Sequence, residues 1–209
     1  DDSAQGAVSV LAGIREFIRF DCEEGRDPAR ALALAALVFC VAALFRFAHQ
    51  QDLAPLVGRG AQDFAGITAI HNDAAAVIAK KGVVEALFPS AWPDKRDTSL
   101  IQYPPGYALL LSAVYALNGR NPVGVQLVQG LLDSLAAVLI FLIALELFNT
   151  TISLIAGLAV AVSHHLCHYS MLLLPDAVAP VLVLAGTYCL VLASSYLERK
   201  GKAYGNLAL

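Results

Sequence analysis

Two aspartates are the first residues in this chain that could carry chemistry. Asp73 stands in the run His71-Asn72-Asp73-Ala74, and Asp176 follows Pro175 at a break between two long apolar stretches. A carboxylate at such a boundary can accept a proton as a general base, although both positions also suit a helix N-cap. His164, His165 and His168 accompany Cys167, and positions i, i+3 and i+4 share a helix face. The adjacent His164 and His165 point in different directions, however, and no carboxylate lies in the same turn. The expected role of His168 and its neighbours is therefore to line a cavity, and no metal site is indicated. Asp133 follows Gln129 by one helical turn and Gln126 by two inside an apolar stretch. A carboxylate there is costly in lipid, so it should face other helices or a cavity. An alternative function follows from these residues: a transporter with Asp133 and Asp176 on an ion or substrate path. That function calls for broken helices in two related halves, and no such halves are visible.

The elements that must position these groups are membrane helices. Of the 209 residues, 58% are hydrophobic and 15% charged, and the mean hydropathy is +0.65, too apolar for one water-soluble domain. Between Arg120 and Glu198 the only charges are Asp133, Glu146 and Asp176, whereas a spanning helix needs about 20 mostly apolar residues. The net charge of -3 gives no basic excess for phosphate contacts, which sets aside nucleic acid as a partner. The four cysteines form no C-x-x-C pair and no disulfide framework is expected. No cleaved signal peptide is visible at the start of the chain.

The hydrophobic pattern predicts an all-α, polytopic fold with about four transmembrane helices and interfacial helices in a large outer loop. Residues 8–20 carry an apolar stripe opposite Arg15, Glu16 and Arg19, so residues 1–27 read as a cytoplasmic interfacial helix. Asp27-Pro28 then opens a span through residue 48, with Arg46 snorkelling at its end. Residues 46–121 bring back charges of both signs and five prolines, which marks the outer loop. Within it, residues 104–117 would make a helix about 21 Å long, short of the roughly 30 Å hydrocarbon core. Further spans are expected over 123–145, 152–174 and 177–197. With four spans, the arginines of the N-terminal segment and the Arg199, Lys200, Lys202 cluster share one side, which the positive-inside rule makes cytoplasmic.

The order of short motifs adds a family likeness. The turn Tyr103-Pro104-Pro105-Gly106-Tyr107 leads into Ala108-Leu109-Leu110-Leu111. Val125-Gln126-Leu127-Val128-Gln129-Gly130 then opens a span that ends Ala144-Leu145-Glu146-Leu147-Phe148, and Leu173-Leu174-Pro175-Asp176 marks the next outer break. Over residues 30–200 this order resembles the N-terminal half of GT-C-fold glycosyltransferases, in the protein-mannosyltransferase and aminoarabinose-transferase group. The resemblance implies an inverting transfer of a sugar from a polyprenyl-phosphate donor to an acceptor on the outer, periplasmic face of a cell membrane, with the bacterial inner membrane as the expected site. It implies Asp73 as the catalytic carboxylate, with Asp63 second, and Asp176, Asp63, Tyr103 and His168 around the substrates. Lys80, Lys81, Lys95 and Arg96 are available to the donor phosphate, or belong to a solvated face. The implied partners are membrane lipid, the lipid-linked sugar and an acceptor the sequence does not identify. No cofactor beyond the donor is indicated, nor a divalent metal. A complete enzyme of this kind adds further spans.

Overall fold

The computed structural model describes residues 27–57, 67–83, 105–119, 121–172 and 174–207. All regular elements among them are helical: α1 Pro28–Val57, α2 Ile67–Lys81, α3 Pro105–Asn118, α4 Pro122–Leu147, α5 Thr150–Ala161, α6 His164–Met171, a 3-10 turn Pro175–Ala177, and α7 Ala179–Leu207. Three segments are long and apolar enough to cross a membrane: Pro28–Gln51, Val123–Leu147 and Pro175–Leu197. The pair α5 and α6, bent by 50°, makes a fourth if it counts as one span. The protein is a multi-pass, all-α membrane protein. The expected interfacial helix over 8–20 lies outside the described residues, as do Asp63, Tyr103, Lys95 and Arg96.

Local chemistry sets the helix ends. Asp27 caps α1 by accepting a hydrogen bond from the Ala29 N–H at 3.0 Å, and Pro28 takes the first helical position, where its missing N–H costs nothing. Asn149 caps α5 by accepting from the Ile152 N–H at 2.9 Å. At the end of α2 the chain turns on Gly82 with φ 90°, its N–H bonded to the Ile78 carbonyl at 2.8 Å, a conformation that glycine adopts without a Cβ clash.

The chain divides into two units. The first takes residues 1–43, 134–163 and 181–209. Its core packs Ala35, Val38 and Ala42 of α1 against Ala137, Phe141 and Leu145 of α4 and Ala161 of α5. Close approach depends on Gly157. A Cβ there would lie 2.9 Å from Phe141 Cβ and 3.2 Å from Val38 Cγ1, so a small residue lets the backbones meet, as is common between membrane helices.

The second unit takes residues 44–133 and 164–180. Here α2 lays His71, Ala74, Ala75 and Ile78, one stripe at helical spacing, against an α3 face built on Tyr107, Ala108, Leu111, Val114 and Tyr115. Tyr115 donates a hydrogen bond to Asn72 Oδ1 across the pair.

Four expectations need correction. Asp73 is not an N-cap, because α2 begins six residues earlier at Ile67 and puts it mid-helix. Asp176 lies inside the 3-10 turn, which Leu174 caps, and not at the N-cap of α7. The helix begun at Pro28 does not end near residue 48 but runs to Val57, with its apolar window reaching Gln51, so the loop begins later than residue 46. Arg46 does not snorkel. It is 1% exposed and bonded to Asp133, because a guanidinium beside a buried carboxylate satisfies both charges better than one stretched toward the surface.

Candidate functional site

The site is built in the second unit from two polar stripes and a helix pair. On α1, His49 and Gln50 each follow Arg46 by about one turn. On α4, Gln126, Gln129 and Asp133 follow one another by about one turn and share a face. Arg46 Nε donates to Asp133 Oδ2 at 2.6 Å, and Gln50 Nε2 to Gln126 Oε1 at 3.5 Å. His49 meets the edge of His164 at a ring separation of 4.8 Å and of His168 at 6.1 Å. Polar groups buried among membrane helices are held by one another in this way. The mid-span Asp133 therefore faces helices, as its lipid cost requires, and its partner is an arginine. His168 is half-buried in the histidine cluster, next to Tyr169. Among the described residues no group of three or more His, Cys, Asp or Glu has the geometry to hold a metal ion.

A second network starts at Tyr107, the last residue of the Tyr-Pro-Pro-Gly-Tyr turn. Its hydroxyl donates to Gln129 Oε1 at 3.2 Å, and Gln129 Nε2 donates to the Leu172 and Leu174 carbonyls at 3.1 and 3.3 Å. Burial pushes the Tyr107 hydroxyl well above its ordinary range, with the nearby Tyr115 adding to the shift and the bond to Gln129 opposing it. It remains a donor at any physiological pH. The His71 ring packs edge-on against Tyr107 at 5.2 Å, and burial holds its imidazole below the usual value, which favours the neutral form.

Asp73 and Asp176 are both exposed. No bond joins them directly, but the elements that carry them meet at Tyr107: α2 through His71, two residues before Asp73, and the Pro175 turn through Gln129. On α2, Lys80 is exposed and sits seven residues after Asp73, about 10 Å along nearly the same helix face. The sequence reading did not single out His49, His71, Tyr107 or Gln129 as site residues. The signals for two of them were present, since Tyr107 closes the proline motif and Gln129 precedes Asp133 by one turn.

Comparison with known families decides what this frame belongs to. The profile of the dolichyl-phosphate-mannose-protein mannosyltransferase family matches residues 102–208, just over half of the chain. The chain belongs to that family. Membership makes it a membrane glycosyltransferase of GT-C type, consistent with the resemblance read from Tyr103 to Asp176, and nothing found favours the transporter alternative. No curated protein and no solved structure matches the chain. The family match starts beside Tyr103 and takes in the proline turn, Gln129, Asp133, the histidine cluster and Asp176. Asp73 and Arg46 precede it.

Proposed function

We propose that this glycosyltransferase moves a sugar from a polyprenyl-phosphate carrier to an acceptor hydroxyl on the outer face of a bacterial inner membrane, with inversion at the sugar carbon. Asp73 accepts the acceptor's proton, the freed oxygen pair attacks the anomeric carbon, and the carbon–oxygen bond to phosphate breaks with its electrons leaving on the lipid phosphate. Atoms and charge balance with donor and acceptor alone, and no cofactor enters the step. The observation that carries this reading is the exposed face of α2. It presents a carboxylate, Asp73, and an ammonium, Lys80, about 10 Å apart on a helix whose opposite face is packed.

A base must reach the acceptor while a cation meets the phosphate, and a helix fixed by its buried side holds the two at constant separation. In this reading Asp176, Asp63, Tyr103 and His168 serve substrate binding, as the family likeness implies. Asp133 does not serve as the base, because Arg46 already holds it.

The test is sugar transfer by the full-length enzyme carrying Asp73→Asn. Asparagine keeps the size but cannot take a proton, so turnover falls about 10² to 10⁴-fold with donor binding little changed. Wild-type turnover in Asp73→Asn together with a loss in Asp63→Asn moves the role to Asp63. Wild-type turnover in both rejects the proposal.

A further inference from the structure

We infer that Tyr107 and Gln129 are positioning residues for transfer, a relay that fixes the turn bearing Asp176 relative to the helix bearing Asp73. The inference rests on the placement of both aspartates at the reacting centre. Neither relay residue touches substrate in this reading. Both are buried, and they act through what they hold.

Helix α6 ends in a break at Leu172 to Pro175. A helix end leaves its last carbonyls without partners inside the helix, so other donors must hold the chain there. Pro175 removes one N–H that could have closed the turn. The backbone compensates in part, with the Leu174 N–H on the Leu172 carbonyl and the Ala177 N–H on the Leu174 carbonyl. A second donor for each comes from another helix: Gln129 Nε2 reaches both of these carbonyls. The position of the Pro175 turn is thereby tied to α4.

Gln129 itself has two ends. With its amide nitrogen on the turn, its oxygen takes the Tyr107 hydroxyl. The two carbonyls, which can only accept, fix which way the amide faces, and the hydroxyl, able to donate or accept, then donates to its oxygen and anchors that end. Tyr107 in turn bears the His71 edge, and α2 carries Asp73 two residues on. One phenol thus anchors the amide that holds one candidate carboxylate's turn, while its ring packs on the helix of the other. Displacements of about 1 Å at a reacting centre can cost as much as 100-fold in rate, so a link of this kind is worth more to turnover than to stability.

Two variants cut the relay at different links. Tyr107→Phe keeps the ring and its His71 contact but removes the bond to Gln129. Gln129→Met keeps the length of the side chain but donates nothing to the two carbonyls. Each is placed in full-length protein in which Cys22, Cys40, Cys167 and Cys189 are alanine and Asp176→Cys reports the turn by its reaction rate with a water-soluble maleimide. Both variants should change that rate severalfold in the same direction, at unchanged yield of folded protein. An unchanged rate in both overturns the inference.

The second measurement is a cycle on turnover in the enzyme with its native cysteines. Tyr107→Phe should lower kcat about 10- to 100-fold with little change in donor KM, and should add nothing further once Asp176→Asn is present. Losses that simply multiply overturn the positioning role, because they mark a structural effect independent of Asp176. If the maleimide rates shift while Asp176→Asn alone transfers sugar at the wild-type rate, the relay exists but the placement of Asp176 in the proposed site is wrong.

Discussion

At the scale of single residues, the decisive fact is which polar groups are spoken for. Arg46 and Asp133 lie in spanning segments, bonded at 2.6 Å and almost wholly buried. Removing one partner leaves a buried charge uncompensated, which typically costs about 3–5 kcal/mol, whereas replacing both by apolar groups of similar volume is far less damaging. Arg46→Met and Asp133→Leu should therefore each lower the melting temperature and folded yield in detergent. The double variant should recover most of the loss, and a double variant as poor as the worse single one would mean that the pair is not the relevant contact. His71 makes a pH prediction. Its folded-state value is lowered by burial, so below the unfolded imidazole value of about 6.5 the unfolded chain binds more protons than the folded one. Stability should then fall as pH drops from about 6.5 toward the folded value, below which this contribution is fully lost. His71→Phe keeps an aromatic ring beside Tyr107 and should show a smaller drop in melting temperature between neutral and mildly acidic buffer. Of these residues, Asp133 was legible in the sequence as a group needing a partner, because charge in an apolar run is conspicuous. Its partner was not, since Arg46 stands where the apolar run ends and reads equally well as a snorkelling side chain.

At the scale of elements, apolar length was the legible quantity and backbone continuity was not. The spans expected over 123–145 and 177–197 correspond to helices Pro122–Leu147 and Ala179–Leu207, and the short piece at 104–117 to Pro105–Asn118. Hydropathy alone joined residues 152–174 into one span. The chain instead bends by 50° after Ala161, where the apolar run gives way to Ser163, His164 and His165. The start of α2 was missed for a related reason: Asn72-Asp73 before an alanine run has the residue types of a cap, although the helix already begins at Ile67. Packing between elements yields a prediction at Gly157, where the nearest obstacles to a Cβ are a Phe141 Cβ and a Val38 methyl, and neither is the loose end of a flexible chain. Gly157→Ala should therefore destabilise the α1–α4–α5 core by about 1–3 kcal/mol, the usual cost of overpacking, although alanine is the better helix former. Thermal unfolding in detergent reads the sign. A stabilised Gly157→Ala protein would show that these helices separate easily and that their close approach is not required.

At the scale of the whole molecule, the number of crossings decides which side of the membrane each candidate residue occupies. With α5 and α6 as one bent span the count is four, so the segments before Pro28 and after α7 lie on one side, and the 58–104 segment with the Pro175 turn lies on the other. Charge agrees with that parity. Arg15, Arg19, Arg26 and Arg30 lie before the first span or at its very start, and Arg199, Lys200 and Lys202 near the end of the last, which the positive-inside rule assigns to the cytoplasm. Were α5 and α6 instead a re-entrant pair, the count would be three and the two basic clusters would be separated by the membrane. The Asn149-Thr150-Thr151 sequon is a poor reporter of the difference. Asn149 is buried and its side chain caps α5, so it should escape glycosylation on either side. Introduced cysteines give the cleaner measurement. In intact cells a membrane-impermeant maleimide should label Ser90→Cys but not Ser3→Cys or Lys202→Cys, and permeabilisation should expose the latter two. Labelling of Ser90→Cys together with Lys202→Cys before permeabilisation would mean three crossings. It would leave the Pro175 turn no longer on the side of the loop that carries Asp73, and a shared outward site for the two aspartates would fail on topology alone.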